Sequence, residues 1–71
     1  MTLEERALVS MYTRAVEARE LIQTALRLHE FIKDEGNQVL RLLAQADDSL
    51  IALSSALSRQ VSEHTESTPD E

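Results

Sequence analysis

A single glycine, Gly36, and a single proline, Pro69, interrupt a chain of 71 residues. Hairpins between strands need residues that accept positive φ or fix the turn, so this chain is a poor candidate for a sheet. Its apolar residues are mostly Leu, Ala, Val and Ile, and aromatic residues make up only 3% of the chain. The sequence therefore predicts one small all-α unit.

The start of a first helix is marked by a capping box. Thr2 and Glu5 have the T-x-x-E spacing, in which the hydroxyl and the carboxylate each accept a hydrogen bond from the other residue's backbone amide. Glu4 and Glu5 also suit the positive end of the helix dipole. We therefore expect a helix that begins near residue 3.

Apolar residues recur at steps of three and four along both halves of the chain, which is the pattern of a coiled-coil seam. In the first half the series is Ala18, Leu21, Ala25, Leu28 and Ile32, and in the second half it is Val39, Leu43, Ala46, Leu50, Leu53 and Leu57. A polar run at residues 33–37 separates the two series. It contains Gly36 and offers Asn37 as an N-cap, which favours a turn over one continuous helix.

We therefore predict a coiled-coil-like antiparallel hairpin over residues 1–64. Helix 1 is expected at about 3–34, the turn at 35–37 and helix 2 at about 38–62. Residues 65–71 are acidic and carry no apolar side chain except the proline ring, so we expect a disordered tail.

Folding about Gly36 sets an expected register for the hairpin. Leu21 then lies opposite Leu50, while Arg14 lies opposite Leu57. Because a charged residue opens that last layer to water, we expect the packing to be tightest near the turn and looser at Leu57.

A second set of apolar residues remains outside this expected seam. The members that we assign to a partner interface are Leu8, Tyr12, Ala15, Ile22, Leu26, Leu40 and Ile51. Two helices cannot bury both sets, and small scaffolds without disulfides or metals usually oligomerise. We predict a homodimer that forms a four-helix bundle, a complex with another helical protein, or both.

The sequence offers little for catalysis, and we expect neither an enzyme nor a cofactor. There is no Cys, and His29 and His64 alone cannot supply the three or four ligands of a zinc site. Asp47 and Asp48 are adjacent on a helix and point about 100° apart, so they do not form a paired-carboxylate site. Asp48 is expected to face water.

Three side chains carry open alternatives. His29 is either a boundary residue that covers the seam or a pH-sensitive group. Asp47 borders the apolar face, where an Arg of another chain would be a suitable partner. His64 is expected to be solvated at a frayed helix end.

The net charge and the hydropathy of the chain argue against nucleic acids and membranes as partners. A net charge of −6 opposes phosphate binding, so nucleic acid is an unexpected partner. The apolar runs are too short to span a bilayer, and the N-terminus is acidic and does not resemble a signal peptide. We expect a cytoplasmic protein that does not enter a membrane.

In length and layout the chain resembles the helical-hairpin co-chaperones of type III secretion needle proteins, with a capped first helix, a polar turn containing Gly36 and an apolar second helix. The segment 39–42 followed by Asp47 is similar to the hairpin aspartyl-phosphate phosphatases of sporulation, but Leu43 and Ala44 replace their Ser-Gln pair. The predicted function is a non-enzymatic protein–protein interaction module, a small regulatory or adaptor protein. The alternatives are a needle-protein co-chaperone and a dimeric RNA-binding bundle.

Overall fold

The structure, a computed structural model, describes residues 2–67, and the side chains of residues 2–64. Helix α1 comprises Leu3–Leu28 and helix α2 comprises Gln38–Ser67. Two short 3₁₀ turns, His29–Phe31 and Glu35–Asn37, lie between the helices. Of the described chain, 94% is helical and none is in a strand, and the helices pack against each other. This confirms the all-α hairpin.

The helix bounds differ from those expected. Helix α1 ends at Leu28 and is followed by the 3₁₀ turn; a helix cannot continue to residue 34 as expected, because the backbone is extended at Ile32, with φ −122° and ψ 162°. Helix α2 continues to Ser67, so residues 65–67 of the expected tail have helical backbone. Residues 68–71 of that tail lie outside the described residues.

The turn itself is built from two residues with positive φ. Gly36 has φ 71° and Asn37 has φ 56°. Asn37 is therefore not the N-cap that the sequence suggested, because a helix N-cap has an extended backbone. The left-handed conformation of Gly36 explains why the only glycine of the sequence lies at this position.

The seam between the helices repeats every seven residues on each helix. Its central residues are Leu8, Ala15, Ile22 and His29 from the first half of the chain, and Leu43, Leu50, Leu57 and His64 from the second. Leu8, Ala15 and Leu57 are buried, with 4–6% of their surface exposed, and the other five are half-buried. A sustained seven-residue repeat is the packing pattern of a coiled coil.

This seam corrects the register expected from the sequence. Leu21 and Leu28, assigned to the seam, are 71% and 57% exposed. Arg14 is exposed and pairs with Glu17 at 3.0 Å, and it does not open a layer at Leu57, which is 6% exposed. The packing is therefore tightest at the open end of the hairpin and not near the turn.

Candidate protein-binding surface

Asp34 holds the turn end of the hairpin together. Its Oδ1 accepts a hydrogen bond from the Val39 amide (3.0 Å), and its Oδ2 accepts one from the Leu40 amide (2.9 Å). His29 Nε2 donates to Oδ2 at 2.7 Å. One carboxylate thus caps α2, the role the sequence suggested for Asn37, and also ties it to the end of α1.

The hydrogen bonds of this cap strongly lower the pKa of Asp34. The backbone N–H of Val39, followed by the His29 side chain, lowers the pKa of Asp34 from 3.8 to about 2. The Asp34 side chain is only 5% exposed, so these donors replace the water that would otherwise solvate the charge. Asp34 thereby stabilises the start of α2 and links it to His29 at the end of α1.

The middle of the hairpin is crossed by an ion pair between Arg19 and Asp47. Arg19 Nε donates to Asp47 Oδ1 at 3.0 Å, and the Asp47 side chain is 18% exposed. The sequence suggested an Arg of another chain as the partner of Asp47, but the structure supplies one from the same chain. Asp48 is exposed, as predicted.

The open end is closed by His64, which is half-buried and not solvated as expected. Its Nε2 lies 3.4 Å from Glu4 Oε1, and its Nδ1 lies 3.4 Å from Glu5 Oε2. The predicted capping box is present: Thr2 N donates to Glu5 Oε1 (2.9 Å), and Glu5 N donates to Thr2 Oγ1 (3.1 Å). The backbone hydrogen bond from Thr2 is the largest of the effects that lower the pKa of Glu5.

The Arg19–Asp47 pair marks one side of the hairpin, which we call the Tyr12 face. Its members line the seam on this side and include Val9, Tyr12, Val16, Arg19, Gln23, Asp47, Ile51, Ser54 and Ser58. A shallow groove of about 350 Å³ runs along it beside Tyr12, Arg19 and Ile51. This face mixes apolar, polar and charged side chains.

The opposite side of the hairpin follows from helix geometry. Arg19 lies four residues after the seam residue Ala15, whereas Ala18 lies three residues after it, so the two flank the seam on opposite sides. Asp47 and Ala46 flank the seam residue Leu43 in the same way. The members of this second surface, called the Leu21 face, are Met11, Ala18, Leu21, Ala25, Leu28, Val39, Leu42, Ala46, Ser49, Leu53 and Ala56.

The Leu21 face is apolar, exposed and free of charge over most of its length. Leu21, Leu28, Leu42 and Leu53 are 46–71% exposed. The charged residues of α1 and α2 between positions 18 and 56 all lie on the Tyr12 face or on the outer surfaces, and they are Arg19, Glu20, Arg27, Arg41, Asp47 and Asp48. Arg14 is on the edge of the face, beyond this range toward the open end.

The seven residues that the sequence assigned to a partner interface do not lie on one exposed surface in the structure. Leu8 and Ala15 are buried in the seam, and Ile22 and Leu26 are half-buried against it. The other three assigned residues remain exposed, and they are Tyr12, Leu40 and Ile51. Sequence reasoning missed the Leu21 face as an outward surface because its α1 stripe had been assigned to the seam. The segregation of charge away from this stripe was the signal that could have identified it.

No family model, curated protein or solved structure matches the chain. The fold and the surface define it as an α-helical hairpin with one apolar face that carries no charged residue between positions 18 and 56. No helix within residues 2–67 is long and apolar enough to cross a membrane. Among the described residues, no group of three or more His, Cys, Asp or Glu side chains is placed to hold a metal ion.

Proposed function

We propose that this chain is a protein–protein interaction module, a small regulatory or adaptor protein that binds a helical partner through the Leu21 face. The observation that supports the proposal is the exposure of Leu21, Leu28, Leu42 and Leu53 on one surface that carries no charged residue between positions 18 and 56. A contiguous apolar patch of this kind is typical of a protein-binding site, because leaving it in water is costly.

The shape of the face suits a helix. Ala18, Ala25 and Ala46 occupy the positions next to the seam, and Leu21 and Leu28 stand on the outer side of α1. Small residues along the middle allow the backbone of another helix to approach closely, and an amphipathic helix would pack its apolar side chains between the exposed leucines. Covering an apolar helix of an assembly subunit, as the resemblance to needle co-chaperones implies, would use the same face.

The proposal includes no catalytic step. The RNA-binding alternative has less support, because Arg14 is paired with Glu17 and Arg19 with Asp47, so two of the six Arg side chains are already engaged with acids. Phosphate contacts depend on basic side chains that are free to replace counterions.

Site-specific photo-crosslinking in cells of the organism that encodes the protein tests the proposal. A photoreactive amino acid at Leu28 should give covalent adducts with a protein. The same residue at the neighbouring position Arg27, which points to the outer surface, is the matched control and should give few. Equal crosslinking at both positions, or none at Leu28, would contradict binding through this face.

A further inference from the structure

We infer that the Leu21 face binds a second copy of this chain, so that two hairpins stack face to face as a four-helix bundle. The inference rests on the proposed function, since it names the partner of the same surface. It was expected from the sequence in general terms, but through a different set of residues, several of which the structure places in the seam.

The first argument is where the single hairpin lacks packing. Among the described side chains, the buried ones are Leu8 and Leu57 near the open end and Ala15 at the middle of α1, and none lies near the turn. Toward the turn, Leu21, Leu28 and Leu42 are 57–71% exposed and the seam residues are only half-buried. A chain of this length has little apolar surface to spare, so the uncovered half is the part that a partner must complete.

The second argument is size. From Met11 to Leu28 the face extends about 25 Å at 1.5 Å per residue, and two packed helices are about 18–20 Å across. The flat footprint is therefore about 500 Å² per copy and about 1,000 Å² over the two copies, which reaches the lower bound of a specific interface. The whole hairpin measures 57 × 15 × 13 Å, so only the Leu21 face and the opposite Tyr12 face are two helices wide, and the Tyr12 face carries the Arg19–Asp47 ion pair.

The third argument is charge. Each chain carries a net charge of −6, which would oppose the association of two copies if the acids faced each other. Between positions 18 and 56, however, the charged side chains of the helices lie away from the Leu21 face. Face-to-face stacking keeps these charges on the outside of the bundle, in water, and leaves Arg14 at the edge of the interface, where it is exposed and paired with Glu17.

The fourth argument is shape. The Arg19–Asp47 contact shows how the two antiparallel helices are aligned along their length, and in this alignment Leu21 lies at the same height as residue 45 of α2. A two-fold axis parallel to the helices places α1 of one copy over α2 of the other at the same level. Leu21 then falls between Leu42 and Ser49 of the second copy, as a knob enters a hole, and the same contact is made twice.

Sedimentation equilibrium of the full chain tests the inference. The wild type should be a dimer at tens of micromolar. Leu42→Glu should be monomeric or unfolded, because it buries two unpaired carboxylates in the interface. Ile51→Glu is the matched control, the same type of substitution at an exposed site on the Tyr12 face, and it should remain a dimer.

A second measurement does not depend on how Leu42→Glu folds. The chain has no native Cys, so Ser49→Cys and Ser58→Cys each accept one spin label, on the Leu21 face and the Tyr12 face respectively. Double electron–electron resonance should give a short distance for Ser49→Cys and a distance of at least about 20 Å for Ser58→Cys, since two helical layers separate the latter labels.

The results separate the inference from the proposed function. A folded wild-type monomer at these concentrations overturns self-association, as does a dimer in which the Ser58→Cys labels are the closer pair. Either result leaves crosslinking from Leu28 to a different protein as the independent test of the proposed function. Loss of crosslinking to any protein together with a folded monomer would contradict both.

Discussion

Replacing Leu57 by Ala gives the most direct test of the observed register. Leu57 is 6% exposed, so the substitution loses nearly the whole transfer free energy of the removed atoms and leaves a cavity at the best-packed end of the hairpin. Such changes cost about 2–5 kcal/mol. For a domain of this size each kcal/mol lowers Tm by about 4–8 °C, so we expect a fall of at least about 10 °C.

The assay is thermal and urea unfolding followed by circular dichroism at one fixed chain concentration, because the inferred self-association would make stability depend on concentration. Leu50→Ala, at a half-buried seam position, should cost less than Leu57→Ala. Leu3→Ala is the surface control, since Leu3 is 81% exposed, and its effect should stay within about 0.5 kcal/mol. If Leu50→Ala cost more than Leu57→Ala, the register expected from the sequence would be correct and the one described above would be wrong.

Three further predictions concern the polar contacts and the turn. The pKa of Asp34 is about 2 in the folded chain and 3.8 without these contacts, so its contribution to the free energy of unfolding is complete above about pH 4 and is lost as pH falls through 2. The urea midpoint of the wild type should therefore fall more steeply over this range than that of Asp34→Asn. Parallel curves would refute the cap. Gly36→Ala should cost about 1–2 kcal/mol in urea unfolding from its φ of 71° alone, since no other atom lies within 4 Å of an added Cβ, and a neutral result would show that the turn has a different conformation. A double-mutant cycle on Arg19 and Asp47 should give a favourable coupling of about 0.2–1 kcal/mol, and an unfavourable coupling would argue against their contact across the helices.

The features that depend on neighbours in sequence could be predicted. The Thr2–Glu5 capping box is set by a spacing of three residues, and it is present. The hairpin followed from Gly36 and from the shortage of other turn residues. In each case the physical cause acts within one helical turn or at one backbone position.

The choice of seam could not be predicted in this way. Helix α1 has two apolar stripes with the same period, one through Leu21 and one through Leu8, and periodicity alone gives no preference between them. The choice depends on contacts between residues far apart in sequence, such as Arg19 with Asp47. The cap by Asp34 was missed for a related reason: it acts five and six residues ahead in the chain, beyond the usual capping distance.

The location of the buried residues also has a consequence for how the chain folds. Contacts next to the turn close short loops and form at small entropic cost, but the residues there are only half-buried. Leu8 and Leu57 are the best buried side chains of their helices apart from Ala15, and bringing them together closes a loop of nearly the whole hairpin. Pairing that spreads from the turn therefore gains most of its stabilisation in its last steps. Partly folded states in which the helices are paired only near the turn should remain sparsely populated. The hairpin should therefore fold cooperatively despite its simple topology.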